Sequence, residues 1–418
     1  MKTRELNDEI SLNKNFRIDG FCKIVRGNTG LKKDELLDAG DYVALQYGKT
    51  YKVDVVDETF NFFVNEEYFK ESQVVNQGDT ILISTSETIE DLGHSCFYDR
   101  KDLGLLGGEQ ILLKPKSNSI NGKYLYYFSK FFKTELQKYA TGLKVFRFNI
   151  DDLKRISFHI PPLPEQTAIA NYLDQKTTTI DKKTELLNQK IENYKKLRKA
   201  IINKAVTKGL DNKVELKESE IDWIGKIPKH WEVKRFKEFA QTIKGKNLEF
   251  YETQVENSLP NLSLEYLRND SVVFETYVKA DDKNLIANEN DLIIIWDGAG
   301  VGEILYGKKG VISSTTAKLK FSNIINAQFF SFLRFNVEYR LKNIPTGMGI
   351  PHLNPNELKN FMCPIPPIKE QSQIAEYLDQ KTATIDKMVE NLQTQITTLQ
   401  HLRKVLINDA VTGKIKVV

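Results

Sequence analysis

The sequence predicts an α+β protein built twice over: two globular α/β modules and two long coiled-coil helices, related by an internal pseudo-two-fold. Three observations carry this reading. First, Ile160-Pro161-Pro162-Leu163-Pro164-Glu165-Gln166 returns as Ile365-Pro366-Pro367-Ile368-Lys369-Glu370-Gln371, 205 positions later. The match runs on without a gap, and 28 of the 48 positions from Ile160 to Thr207 are identical to their partners. A period this long is too large for a solenoid and marks a duplicated domain-plus-helix unit. Second, a proline cluster precedes each helix. Third, both copies keep one heptad register throughout the helix.

Each helix has a readable start. Pro161, Pro162 and Pro164 stop the preceding strand because proline lacks a ladder donor, and Glu165 falls in a first turn where the helix dipole favours a carboxylate. Leu173, Ile180, Leu187, Tyr194 and Ile201 then recur every seven residues, as do Leu378, Ile385, Leu392, Leu399 and Leu406. A second seam reads Thr177, Thr184, Ile191, Arg198, Ala205, and in the other copy Thr382, Val389, Ile396, Arg403, Ala410. This periodicity predicts coiled-coil packing. Arg198 and Arg403 lie on the seam itself, where polar residues fix register and partner. The β-branched run Thr177-Thr178-Thr179-Ile180 predicts a kink or break.

The modules are related more loosely. Thr141-Gly142 matches Thr346-Gly347, Asn149 matches Asn354, and Leu153-Lys154 matches Leu358-Lys359 in the same register. Near the start the offset drifts, and Phe16 to Phe21 aligns by eye with Trp231 to Phe236. Strands are predicted at Asp79–Ser84 and Asp291–Trp296, and helices at Tyr124–Tyr139 and Ala327–Lys342. Lys208 to Lys229, charged and ending near Pro228, reads as a linker. The expected segments are a first module at 1–158, a helix at 159–210, a second module at 211–364 and a second helix at 365–418.

Composition bounds the function. The chain is 40% apolar and 28% charged, which excludes disordered and fibrous classes. No apolar run reaches membrane-span length, Met1 to Asp8 has no signal core, and Cys22, Cys96 and Cys363 are isolated, so a cytoplasmic protein is expected. Net charge is only +4, although residues 165–208 hold 10 basic against 5 acidic side chains. Any nucleic-acid contact must then come from charges gathered on one face.

No catalytic constellation emerges. Gly302 to Lys308 has the glycine and lysine spacing of a phosphate loop, but Lys309 stands where Ser or Thr must hold magnesium, and the intervening residues read as a strand. Asn354-Pro355-Asn356 lacks the second proline and the aromatic that would hold a flipped base. His94, His159, His230, His352 and His401 form no metal spacing.

The repeated residues resemble the specificity subunit of Type I restriction–modification systems. The resemblance rests on Pro161 to Gln166 and Pro366 to Gln371, Ile169-Ala170, Leu173-Asp174, Ile180-Asp181, Leu197-Arg198 and Ala205-Val206-Thr207, their second-copy partners, and the ending Val411-Thr412-Gly413-Lys414-Ile415. Two departures stand out: Lys208 occupies a position where that family shows glycine, with Gly209 next, and Lys369 replaces proline. The resemblance implies two target-recognition domains, each reading half of an asymmetric bipartite double-stranded DNA site, separated by two antiparallel helices. It also implies a non-catalytic chain that binds no cofactor and docks two methyltransferase subunits, with S-adenosylmethionine on those partners. Endonuclease/translocase subunits are the further partner in systems that cut. The subunit interface and coiled coil would comprise Leu173, Ile180, Leu187, Tyr194, Arg198, Ile201, Leu378, Ile385, Leu392, Leu399, Arg403 and Leu406. Base contacts are expected where the copies differ, with Lys144, Arg147, Lys244, Lys246, Arg268 and His352 as candidates. The alternatives are a stand-alone bipartite DNA-binding regulator and a structural coiled-coil adaptor.

Overall fold

The computed structural model describes residues 16–116, 119–221, 223–269, 271, 276–280, 282–343, 346, 349 and 351–417. The chain divides into two compact units, residues 1–187 with 393–418, and residues 188–392. This division runs through the long helices rather than along the expected boundaries at 158, 210 and 364. The first helix, Leu163–Lys208, starts in one unit and ends in the other, and the second, Ile368–Val411, does the reverse. Burial explains the cut. Ile407, Ala410 and Val411 pack with Tyr124 and Leu173 in the first unit, and Ile202, Ala205 and Val206 pack with Trp231 and Phe236 in the second.

Each unit carries the same scaffold. In the first, a five-stranded sheet runs Cys22–Arg26, Gln110–Pro115, Thr80–Ile83, Ser95–Tyr98, Val55–Val56. A second sheet of four runs Phe63–Val64, Tyr42–Leu45, Gly104–Leu106, Val74–Val75. In the second unit the corresponding sheets run Ala240–Lys244, Thr316–Phe321, Leu292–Ile295, Ile304–Tyr306, and Tyr277–Lys279, Ser258–Leu262, Gly310–Ile312, Ile286–Ala287. The central strands are apolar on both faces, as in Thr80–Ile83 and Leu292–Ile295, because every residue of both is buried. A 16-residue helix covers one sheet of each unit, Gly122–Gln137 the five-stranded sheet of the first and Ala327–Lys342 the sheet containing Leu292–Ile295 in the second.

Two sequence expectations are corrected. Arg17 caps Ile18–Phe21 as Arg235 caps Phe236–Phe239, so Arg17 aligns with Arg235, and the Phe16–Phe21 match to Trp231–Phe236 is displaced. Aromatic identity misled there, because one side chain can fill a core from different backbone positions. The linker read at Lys208 to Lys229 contains a β-hairpin, Leu216–Glu218 against Lys226–Pro228, with Ile221 and Ile227 buried.

The repeated Glu-Gln motif has a structural cause. Gln166 is 1% exposed, and its amide donates to the carbonyls of Pro161 (2.9 Å) and Ser119 (3.3 Å) while accepting from Asn121 N (2.8 Å). Gln371, at 0%, repeats this with Pro366 (2.8 Å), Ile324 (2.9 Å) and Asn326 N (2.7 Å). Asn121 and Asn326 in turn cap the two 16-residue helices. One buried amide thus joins the start of each long helix to the cap of the helix that covers its sheet.

The first long helix is continuous through Thr177–Thr179, so the branched run does not break it. Thr179 returns its hydroxyl to Gln175 O at 2.7 Å, and Thr177 lies 3.1 Å from the Tyr127 hydroxyl, so the branched residues have partners within the helical geometry. Among the heptad seats, Leu173, Ile180, Leu378, Ile385 and Leu392 are buried, and Leu187, Tyr194, Arg198, Ile201, Leu399, Arg403 and Leu406 are half-buried. Within the first unit Arg403 meets Asp181 at 3.0 Å, while the earlier Leu173 shares a core with the later Ile407 and Ala410, so the helix segments run antiparallel. Within the second unit Arg198 meets Asp386 at 3.0 Å, and Ile202 and Ala205 share a core with Ile374 and Leu378. The two ion pairs are one pair repeated.

Their surroundings differ. Arg403 also reaches Asp54 at 2.9 Å, and Asp54 receives Lys130 at 2.7 Å. Burial would raise the Asp54 carboxyl, but Lys130 and Arg403 outweigh it and hold the group at about 2. Beside them His94 contacts Val53 O at 2.9 Å, and burial, reinforced by Lys130, lowers its imidazole to about 4. Arg198 instead has Arg334 as its charged neighbour in the second unit.

Two predictions follow from these contacts. Gln371→Leu strands the Asn326 amide and two carbonyls, costing about 1–3 kcal/mol per buried group. Hydrogen exchange should accelerate at the start of Ala327–Lys342 and leave the first unit unchanged; unaltered protection at Asn326 would refute the role given to Gln371. The second concerns acid. His94 stays neutral in the folded unit down to about pH 4, whereas an unfolded imidazole takes up a proton near its ordinary 6.5, so stability falls as pH drops through that window. The Asp54 contribution persists below this and is lost only toward pH 2. His94→Gln should flatten the first unit's urea midpoint between pH 6.5 and 4, removing a slope that integrates to about 3 kcal/mol at most.

Candidate nucleic-acid interface

The polar candidates cluster where strands leave the helix-covered sheets, and glycine makes the crossing there possible. After Cys22–Arg26 comes Gly27, where a Cβ would lie 1.9 Å from the Gly107 carbonyl oxygen. After Ala240–Lys244 comes Gly245, with 2.0 Å to Ser313 O. Only glycine allows this backbone approach. The residue before each glycine is basic and exposed: Arg26 opposite Ile111, and Lys244 opposite Ala317.

In the second unit the turn from Asp297 to Glu303 gathers three candidates from separate segments. Asp297 accepts from His352 Nδ1 at 2.7 Å and lies 3.3 Å from Lys244 Nζ. Lys244 also sits 5.4 Å over the Trp296 ring. Arg268 pairs with Glu303 and packs against Gly300. Lys246 bridges Ser313, whose hydroxyl is 2.9 Å from that of Thr315, and Thr315 O accepts from Trp296 N at 2.8 Å. Asp297 is 19% exposed, while its two partners, Lys244 and His352, remain about half exposed. A carboxylate in that position can accept a hydrogen bond from a cytosine amino group, and the released Lys244 can meet phosphate.

In the first unit the equivalent backbone carries other side chains. Phe148 N donates to Ser84 O at 3.2 Å as Leu353 N donates to Trp296 O at 2.7 Å. Thr85 therefore stands where the second unit has Asp297, and Arg147, paired with Thr85 across a short ladder, stands where it has His352. The Thr85 hydroxyl donates to Glu109, whose φ of 61° places it in the left-handed region. Lys144 and Arg147 are both exposed, and neither side chain has a hydrogen bond or ion pair among the described residues.

Sequence reasoning missed Arg26, Trp296, Asp297, Thr85 and Glu109. Arg26 and Lys244 share a place but not a sequence offset with Arg147 and His352, so gapless matching hides them. Reading on from Thr141-Gly142 and Thr346-Gly347 would have paired Arg147 with His352 directly. The motifs set aside also find structural roles. Asn354 caps Pro355–Asn360, with its side chain accepting from Asn356 N at 3.1 Å, and Gly302 to Lys308 contains the strand Ile304–Tyr306.

Two copies of one scaffold, each presenting a different polar set at equivalent backbone positions, define a duplicated recognition protein. The pattern of the Type I restriction modification DNA specificity domain matches residues 11–193 and 228–398. The chain belongs to that family and is a Type I restriction–modification specificity subunit. It is 40% identical over 172 residues to the MjaVIII specificity subunit of Methanocaldococcus jannaschii, a match spanning 40% of this chain and 40% of that one. Similarity to the putative MjaX specificity subunit of the same organism is 28% over 362 residues, covering 81% and 78% of the two chains. The EcoKI specificity subunit of Escherichia coli is 22% identical over 413 residues, covering 90% and 84%. In fold, the chain matches a structure from work on complex assembly and conformational transition of the type I R-M system, with TM-score 0.74, 15% identity and coverage of 96% and 98%. The HsdS subunit of Thermoanaerobacter tengcongensis matches with TM-score 0.55, 17% identity and coverage of 96% and 97%. Among the described residues no helix is long and apolar enough to cross a membrane.

Proposed function

We propose that this specificity subunit reads an asymmetric bipartite DNA site, one half per module, and directs methyltransferase subunits to it without catalysing a reaction itself. The observation that carries the reading is the substitution of side chains on a shared backbone: Arg26 against Lys244, Thr85 against Asp297, Arg147 against His352. Different donor and acceptor sets on equivalent frames select different bases, and an asymmetric site needs two unlike readers. In this reading S-adenosylmethionine is bound by the methyltransferase partners, in the cytoplasm, and endonuclease/translocase subunits join where the system cuts.

The partner surface in this proposal is the outward side of the helices. The heptad seats are buried or half-buried, and Leu173 and Leu378 pack within the cores of their own units. Leu197 and Leu402 occupy the same place in the repeat and remain 47% and 50% exposed, with Leu186 at 64% and Met388 at 43%. Exposed apolar residues spaced along helices suit a protein partner.

Co-expression with a methyltransferase encoded beside this chain, followed by methylome sequencing, tests the function. Exchanging residues 1–158 for another family member's first module should change one half of the methylated sequence only; a change in both halves would overturn modular reading. Leu197→Asp and Leu402→Asp should each reduce methyltransferase co-purification at least tenfold and leave the thermal midpoint of the free chain unchanged. Undiminished co-purification of the double variant would exclude this face.

A further inference from the structure

The loop from Thr141 to Arg147 is closed by its own backbone. Thr141 N donates to Arg147 O at 3.0 Å, and Arg147 N returns to Thr141 O at 2.9 Å. Gly142 has φ +110°, and a Cβ there would lie 2.0 Å from Val145 O, so glycine is required for closure. The tip of this constrained loop is apolar. Leu143 is 98% exposed and Val145 37% exposed, with the solvent-facing Lys144 between them and Arg147 two residues further on.

A single exposed leucine is ordinary on a protein surface. What distinguishes Leu143 is its recurrence. The second unit closes the same loop, with Thr346 N to His352 O at 2.9 Å and the reverse bond at 2.8 Å. Its sequence, Thr346-Gly347-Met348-Gly349-Ile350-Pro351-His352, again has apolar residues two and four places after the threonine. Residues 347, 348 and 350 lie outside the described set, so the recurrence is one of sequence and closure. Packing does not require Leu143, because it touches so little, yet apolar character at that place is found in both copies while the neighbouring modules have diverged.

We propose that this loop is the groove-entering element of the first module and that Leu143 makes a direct apolar contact with a base pair of its half-site, flanked by Lys144 and Arg147. The assignment rests on the DNA-reading function proposed above and adds a residue that charge and hydrogen-bonding arguments pass over. Two sources of apolar base contact exist: insertion at a base step, which unstacks it, and packing on a thymine methyl group. Leu143 supplies no charge, so it adds to sequence discrimination and not to the salt-dependent phosphate term.

The test selects duplexes from a random library with the full chain co-expressed with its methyltransferase, for wild type, Leu143→Ala and Arg147→Ala. Leu143→Ala should lose roughly tenfold discrimination at one or two positions of the first half-site. The second half-site and the slope of affinity against salt should be unchanged. Arg147→Ala should weaken binding with a smaller salt slope or lost discrimination. With 2-aminopurine placed in the selected half-site, a fluorescence rise on binding that Leu143→Ala abolishes identifies insertion. Lost discrimination without such a rise identifies the methyl contact. If wild type selects a bipartite motif and Leu143→Ala selects the same motif at the same affinity, the assignment of Leu143 is wrong and the DNA reading stands. If wild type selects no motif, both fall. Equal thermal midpoints of the variants establish that folding is not the cause.

Discussion

The buried amide at the head of each long helix is the contact on which the remaining geometry depends. Gln166 and Gln371 each satisfy two carbonyls and one amide at a place where water cannot substitute. A glutamine is suited to this because its side chain both donates and accepts from one rigid plane. A carboxylate could not donate, and an apolar residue would leave three backbone groups unpaired. Through Asn121 and Asn326 the same contact fixes the helix lying over one sheet of each unit, so the position of the recognition scaffold and the direction of the long helix are set together. The Pro-Pro-x-x-Glu-Gln sequence is therefore a joint. The prolines end the strand, the helix begins, and the glutamine closes the angle between them.

The duplicated seam shows how one ion pair can serve two environments. Arg403 pairs with Asp181 as Arg198 pairs with Asp386, but only Arg403 finds an acid in its module, Asp54, with Lys130 on the far side. Half-buried charges of this kind are weak evidence for stability, because partial desolvation and solvent screening both oppose the attraction. Their consequence is an asymmetry: the last turns of the second helix are tied to the first module through Asp54, and among the described residues Arg198 has no such acid in its own module. A swap of the two helix ends would bring Arg198 to Asp54 in place of Arg403, so the asymmetry lies in the module and not in the helix. The pseudo-symmetry of the chain is thus broken inside its own units.

Much of the fold was legible because the repeat repeats its constraints. Proline stops, heptads, the capping residues Asn149 and Asn354 and the core residues Leu153 and Leu358 all sit in the gapless register, since helix starts and helix cores tolerate few residue types. The helix does not break at Thr177–Thr179 for a tertiary reason, as Tyr127 and the backbone supply partners that local propensity ignores. The supposed linker hid a hairpin because Ile221 and Ile227 are too few to give a strand period. The site was legible only in part. Lys244, Arg268 and His352 lie in different stretches of sequence, and what joins them is the turn after Leu292–Ile295, whose Asp297 and Glu303 look like ordinary surface acids until the sheet places them. Arg26 was invisible for another reason: the offset between copies shifts within the module, and only strand pairing restores the match.

That shift also explains how such a chain can change what it reads without losing its fold. The crossings at Gly27 and Gly245 are contacts of backbone on backbone, and the loops closed at Thr141 and Thr346 are held by main-chain hydrogen bonds. None of these depends on the identity of Arg26, Lys244, Thr85, Asp297, Arg147 or His352. The side chains that meet the outside are therefore the ones the scaffold leaves free, while the residues that cannot vary, glycine at the crossings and glutamine at the joints, face inward. Stability and recognition are carried by separate atoms of the same short segments. Two modules descended from one could diverge in the second and remain superposable in the first.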